Sequence, residues 1–485
     1  MALAPQTEVW NAWMGGSWTP ASSGQSFVVE NPANGQVLAR VARLSADDVA
    51  HAARIARAAF DDGRWSRIAA TARGKVLNRL ATLLRDHLEE FAQLETRQVG
   101  KTLQDSRDEV ATAADCFEYY AGAANKIFGR TIPVSAPGLD YTLRVPAGVV
   151  GLIVPWNFPF LISVWKIAPA LAAGNSLLVK PASYTPLTAL LLGPLADAAG
   201  IPPGVLNVVP GPGAEVGEAL VTDPEVDKIA FTGETATGAR IMALAAARIK
   251  RVSLELGGKS PIILFDDIDL DRAAYLAVQS AYANSGQDCC ARSRVLVQRD
   301  ILQPFSERYV AHARALTVGD PLDESVAMGP LISAGHRRTV SQYVTRGLEE
   351  GARLLLDPAE AAIPAIGYYQ GPAVFTDVRP EMAIVREEIF GPVSTLQAFD
   401  TEAEAIRLAN STDYGLSGTV FTRDVARALR VANQVRTGVM SVNSIRSVHL
   451  EAPFGGFKMS GLGRELGMEA LELYTELKNV FVSLE

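Results

Sequence analysis

Two neighbouring thiols, Cys289 and Cys290, lie in the run Asn284-Ser285-Gly286-Gln287-Asp288-Cys289-Cys290-Ala291. A thiol placed just after a helix-ending glycine is exposed enough to act as a nucleophile, although a free cysteine also packs well in a core. In an extended segment consecutive side chains point to opposite faces, so one of the pair can be core while the other points into a cleft. Glu255 stands just ahead of Gly257-Gly258, where a carboxylate can serve as a general base or close a structural ion pair. Asn157, in Pro155-Trp156-Asn157-Phe158-Pro159, offers an amide donor for an oxyanion, although a lone Asn there is more often a turn former capping the next helix. Lys180-Pro181-Ala182-Ser183 puts a cation and a hydroxyl where a ribose or phosphate would sit, or a solvated charge. Gly211-Pro212-Gly213-Ala214-Glu215-Val216-Gly217 is a glycine turn opening a helix, as phosphate cradles are. Its spacing is one residue longer than the usual dinucleotide fingerprint, so a simple tight turn explains it as well. Phe231-Thr232-Gly233-Glu234, with Gly238 beyond, allows close backbone approach to a ligand.

Elements of regular period must hold these groups together. Apolar strands are expected over 149–154, 176–180, 205–209, 228–232 and 251–256, each separated from the next by a helical segment. Strands buried on both faces read as continuous apolar runs, and parallel pairing needs helical crossovers, so this region is a doubly wound α/β sheet that binds ligands at its carboxyl edge. A second α/β unit begins near Gly257, with strands over 261–265 and 294–298 and helices over 271–283, 334–351 and 401–410. Before both, Ser45 and Asp48 form a capping box for a helix, and Val76, Leu80, Leu83, Leu84, Leu88 and Phe91 recur at helical spacing. The tail over 475–485 is strand-like and, with 141–145, makes an arm that seeks a partner strand.

The chain has 485 residues, 48% of them hydrophobic, which is material for two or three domains. Lys and Arg number 45 against 53 Asp and Glu, a balance that argues against nucleic-acid or anionic-membrane surfaces. Residues 1–16 lack the basic start and apolar core of a secretory signal, and no long apolar run exists, so a cytoplasmic location is expected. Three cysteines, two of them adjacent, make no disulfide framework, and five scattered histidines lack metal-ligand spacing, so no metal is expected.

In order along the chain, Pro-Trp-Asn-Phe-Pro, Lys-Pro-Ala-Ser, Phe-Thr-Gly, Leu-Glu-Leu-Gly-Gly-Lys-Ser-Pro, Gly-Gln-x-Cys, Glu387-Glu388-Ile389-Phe390-Gly391-Pro392 and Pro453-Phe454-Gly455-Gly456-x-Lys458-x-Ser460-Gly461 resemble the aldehyde dehydrogenase superfamily across essentially the whole chain. The resemblance implies an α/β fold: a Rossmann-like cofactor domain (1–123 and 147–256), a second α/β catalytic domain (257–459), and a small strand arm and tail for oligomerisation (124–146 and 460–485). It implies Cys289 as the nucleophile that forms a thiohemiacetal and then a thioester, Asn157 and the Cys289 N–H as the oxyanion donors, Glu255 as the base for the hydrolytic water, and Lys166 as a proton relay. It places Ile153, Pro155, Trp156, Lys180, Ser183, Gly213, Phe231, Gly233, Glu234, Leu256, Glu388 and Phe390 around NAD or NADP. The family's NAD-preferring members commonly carry Glu where this chain has Ser183, so the resemblance, with that departure, implies that NADP+ is tolerated.

For the substrate, family position implies an apolar tunnel of Phe158, Ile162, Trp165 and Phe454 with Asp288, Arg446 and Val448 near its mouth. An aldehyde of small-molecule size is expected, and a homodimer or homotetramer. Relatives that pass the acyl group to coenzyme A generally lack the deacylating glutamate, which is present here. A cysteine hydrolase without redox chemistry would need a histidine partner in a recognisable motif, and none is evident.

Overall fold

The computed structural model describes residues 4 and 7–485; Met1, Ala2, Leu3, Pro5 and Gln6, which fall in the amino-terminal stretch and in the unit expected from residue 1, lie outside the described residues. Two large sheets organise the chain. In the first, strands Arg251–Glu255, Lys228–Thr232, Val149–Ile153, Ser176–Lys180 and Leu206–Val208 lie side by side in that order and all parallel. Chain order therefore runs outward from Val149–Ile153 to one side and then, after a return crossover, to the other. The switch falls between Val149–Ile153 and Lys228–Thr232, the place where a doubly wound sheet opens a crevice at its carboxyl edge. Antiparallel strands finish both edges: Gly461–Leu462 beside Arg251–Glu255, and Ala12–Met14 followed by Ser17–Thr19 beside Leu206–Val208.

The composition of these strands explains their position. Val149–Ile153, Ser176–Lys180 and Lys228–Thr232 are buried at every residue, as strands covered by helices on both faces must be. Helix Pro159–Ala173, which leaves the Asn157 turn, is likewise buried along its whole length. Pro159 begins it without needing its missing N–H, and left-handed Gly174 (φ 99°) ends it. The Ser45–Asp48 capping box is present at the start of helix Ala46–Asp61.

The second sheet has seven strands in the order Arg353–Leu356, Ala373–Thr376, Val393–Phe399, Arg294–Gln298, Pro261–Leu264, Ser417–Phe421, Val439–Val442. All neighbours are parallel except Arg353–Leu356. Helices Leu270–Tyr282, Ala334–Glu349 and Glu402–Ala409 fall where the apolar period places them. The tail strand Thr475–Ser483 pairs antiparallel with Gly138–Pro146 of the same chain, with Thr131–Ile132 on the far side. Among the described residues no helix is long and apolar enough to cross a membrane.

Candidate active site

At the carboxyl edge of the first sheet lies a cavity of about 980 Å³, of the size that holds a large organic ligand. Ile153, Pro155, Trp156, Lys180, Ser183, Gly213, Phe231, Gly233, Glu234, Leu256, Glu388 and Phe390 all line it, and so do Asn157, Glu255 and Cys289. Residues far apart in the chain thus share one wall: most follow a strand end of the first sheet, whereas Cys289, Glu388 and Phe390 come from turns after helices of the second unit. A Cβ at Gly213 or Gly217 would meet no protein atom within 4 Å, so the turn leaves open space in a cavity that both residues line. Lys180, almost fully buried, donates through Nζ to the Pro181 carbonyl at 2.9 Å, and burial lowers its pKa to about 8. The Ser183 hydroxyl donates to the Gly211 carbonyl at 3.0 Å, joining the two turns.

Opposite them, Glu388 accepts the Gly258 N–H at 3.0 Å, and burial raises its carboxyl to about 7. Phe390 has φ 58°, a left-handed conformation that costs a bulky residue energy. His336 compensates: its Nε2 lies 2.6 Å from the Phe390 carbonyl, and its ring and that of Phe390 both meet Trp156 edge-on at centroid distances of 5.6 and 5.2 Å. The sequence reading did not single out His336. Its one local signal is the Ser333-x-x-His336 spacing, which caps helix Ala334–Glu349.

Around the thiols the sequence reading needs correction. Helix Leu270–Tyr282 ends before Gly286, and Asn284 (φ 48°), Ser285 (φ 59°) and Gly286 (φ 72°) turn the chain in succession. A side chain on Gly286 would overlap the Gly391 carbonyl, so the turn packs too tightly for any other residue. Residues 288–290 are then a turn and not extended: the Cys290 N–H donates to Asp288 Oδ1 at 2.8 Å. Cys289 is half-buried and Cys290 buried, yet their sulfurs point to the same side, within 4.8 Å of each other and of the Asp288 carboxylate. The Cys289 thiol is held well above its ordinary pKa, first by its hydrogen bond with Cys290 and then by burial.

Asn157 is buried and its Nδ2 donates to the Gln287 carbonyl at 3.0 Å, while Asn284 Nδ2 donates back to the Asn157 carbonyl at 3.0 Å. These bonds hold the Asn157 amide beside the cysteine turn. Glu255 is buried with Oε2 unpartnered, and burial followed by the negative charge of Glu465 holds its carboxyl well above the carboxylate range. Lys166 does not line the cavity: fully buried, it is ion-paired with Glu465. Glu465 is thus a member of the site that sequence reasoning missed, although a carboxylate among the glycines of Gly461–Gly467 is an unusual feature of that stretch. Glu95 was also missed. Fully buried, it accepts the Phe160 N–H at 3.1 Å and the Thr188 hydroxyl at 2.8 Å. Helix Pro159–Ala173 has no side-chain cap of its own, so this remote carboxylate supplies one behind Asn157.

The expected substrate residues divide. Ile162, Trp165 and Phe454 are buried together, the two rings 5.5 Å apart, and Phe158, Val448 and Cys289 pack on the same cluster. None of them except Cys289 lines the large cavity, so the thiol stands between that cavity and this apolar cluster. Lys101, buried and ion-paired with Glu109, sits 4.0 Å over the Phe158 ring. Asp288 is half-buried beside the thiols, whereas Arg446 is exposed and makes no ion pair among the described residues.

The profile of the aldehyde dehydrogenase family matches residues 18–480. A putative aldehyde dehydrogenase, DhaS, of Bacillus subtilis (strain 168) is 43% identical over 477 residues, covering 98% of this chain and 95% of that protein. The betaine aldehyde dehydrogenase of the same organism is 42% identical over 469 residues, covering 96% of each. The NAD+ complex of an aldehyde dehydrogenase from Bacillus cereus superposes with a TM-score of 0.96 at 41% identity, covering 99% of this chain and 97% of that one.

Proposed function

The chain belongs to the aldehyde dehydrogenase family, and from that premise we propose that it oxidises an aldehyde to the carboxylic acid through a thioester on Cys289, with NAD+ or NADP+ in the large cavity. The observation that carries the reading is that Cys289, Asn157 and Glu255 line one cavity with the whole expected cofactor set. The open glycine turn at Gly213 and Gly217 and the bound relative from Bacillus cereus both fit a dinucleotide there. Ile153, Phe231, Gly233, Glu234 and Leu256 would hold its adenosine and pyrophosphate, Lys180 and Ser183 its adenosine ribose, and Glu388 with Phe390 its nicotinamide ribose and ring. When bound, the dinucleotide supplies the acceptor for the two electrons that leave the aldehyde as hydride.

The chain's own groups do the rest. The Cys289 thiol releases its proton to solvent in the cavity, the thiolate attacks the aldehyde carbon, and the oxyanion that develops is met by the Asn157 Nδ2 and the Cys289 N–H. Asn157 must exchange its bond to the Gln287 carbonyl for this one, while its own carbonyl stays tied by Asn284. After oxidation Glu255 takes a proton from water, which attacks the thioester and releases the acid. A carboxyl raised by burial is a stronger base than an exposed one, which suits it to that step. The Lys166–Glu465 pair behind it accepts the proton onward, since Glu465 also has a buried oxygen without a partner.

NADP+ tolerance rests on Ser183 and on Lys180, a cation with only a carbonyl partner. The substrate is an aldehyde with an apolar or aromatic portion against Trp165, Phe454 and Phe158. We also propose the division into a cofactor domain (1–123 and 147–256), a catalytic domain (257–459) and an arm and tail (124–146 and 460–485), a homodimer or homotetramer built through that arm, and a cytoplasmic location. The test of the catalytic reading is Cys289→Ala: production of acid and reduced nicotinamide should be lost altogether, whereas turnover at the wild-type rate would refute the nucleophile.

A further inference from the structure

Beside Cys289 lies a set of donor atoms that aldehyde oxidation does not use in full. An oxygen of Asp288 and the sulfurs of Cys289 and Cys290 all lie within 4.8 Å of one another, the one such group of His, Cys, Asp or Glu among the described residues. The turn at 288–290 produces it by folding two consecutive thiols to one side. Two sulfurs on a tetrahedral zinc ion, each at about 2.3 Å, stand about 3.8 Å apart, so the group needs to contract only slightly to share one ion. Asp288 and Cys289 are half-buried while Cys290 is enclosed, so an ion can enter from the cavity wall that Cys289 forms.

The electrostatics favour the same occupant. Arg292 is buried and its guanidinium donates only to neutral hydroxyls, those of Thr419 (2.7 Å), Ser280 (3.2 Å) and Ser417 (3.2 Å). The charges that act on it are those of Cys290 and Asp288. Two thiolates, one carboxylate and a divalent cation carry a net charge of minus one, which Arg292 balances, and a neutral set is the form least penalised by burial.

We propose that Asp288, Cys289 and Cys290 form a binding site for a thiophilic divalent cation of the zinc and cadmium class. Two thiolates and one carboxylate oxygen are its ligands, and the fourth position opens on the cavity. Binding forms two metal–sulfur bonds and releases two thiol protons with no change of oxidation state. Because it engages the Cys289 sulfur, it reversibly blocks any chemistry at that thiol.

Cadmium alone, titrated into the full-length chain without nicotinamide, tests this independently of any activity. The wild type should take up one ion with the ultraviolet charge-transfer absorption of two cadmium–thiolate bonds. Cys290→Ser should show half that absorption and bind at least about 10–100-fold more weakly, since even outer partners of a metal site are worth that much. Cys289→Ser should show the same loss, which keeps the test valid if a change at the enclosed Cys290 prevents folding. Wild-type absorption and affinity in either variant would overturn the site, as would a single-thiolate signal in the unaltered chain.

Discussion

On the cavity side of Cys289 the wall combines turns after parallel strands, with glycines at 213, 217 and 233, and side chains such as Trp156, Lys180 and Phe390. On the other side lies a cluster of side chains, with Trp165 against Phe454, Phe158 under Lys101, and Ile162 and Val448 in the same cluster. On the proposed function the first wall would recognise what every dinucleotide shares, and it is fixed by topology. The second would recognise the aldehyde, and it is fixed by the packing of residues that any of several apolar neighbours could replace. A change in the first should therefore alter rate and cofactor choice predictably, and a change in the second should alter which aldehyde is taken.

Asn157 stands at the seam between the two walls. Replacing it with Ala should lower kcat by about 10²–10³ for every aldehyde tried, because one preorganised donor to the oxyanion is lost. A loss confined to some aldehydes, measured by steady-state kinetics, would make it a substrate-wall residue instead.

Ser183→Glu sharpens the contrast within the cofactor wall. The new carboxylate should lower kcat/KM for NADP+ by at least about tenfold through like-charge repulsion and leave the NAD+ value nearly unchanged. Equal effects on both cofactors would remove Ser183 from the ribose site.

A smaller effect should follow from pH. Burial lowers the Lys180 ammonium to about 8, so its positive charge is present below that value and lost as the pH rises through it. The KM for NADP+ should climb a few-fold relative to that for NAD+ above this point, and a ratio flat with pH would show that Lys180 does not meet the phosphate.

How much the sequence disclosed follows the same division. Each of the expected strands of the first sheet is present because a continuous apolar run bounded by glycine or proline has few other solutions. The cysteine turn was misread because three successive left-handed residues, two of them not glycine, give no periodic signal. Glu95, Glu465 and His336 escaped notice for another reason. Each acts through partners far along the chain, such as Phe160, Lys166 and Phe390, and pairings of that range are created by the fold.

The account depends most on Glu255 and Cys289 serving the same bound aldehyde from one cavity. Glu255→Gln, mixed with an aldehyde and NAD+ and followed by stopped-flow absorbance and intact mass, separates their roles. The prediction is one rapid equivalent of reduced nicotinamide per chain, then near-arrest, with an acyl group on Cys289 by peptide mapping. Steady turnover at the wild-type rate, or an acyl group on any other residue, would contradict it.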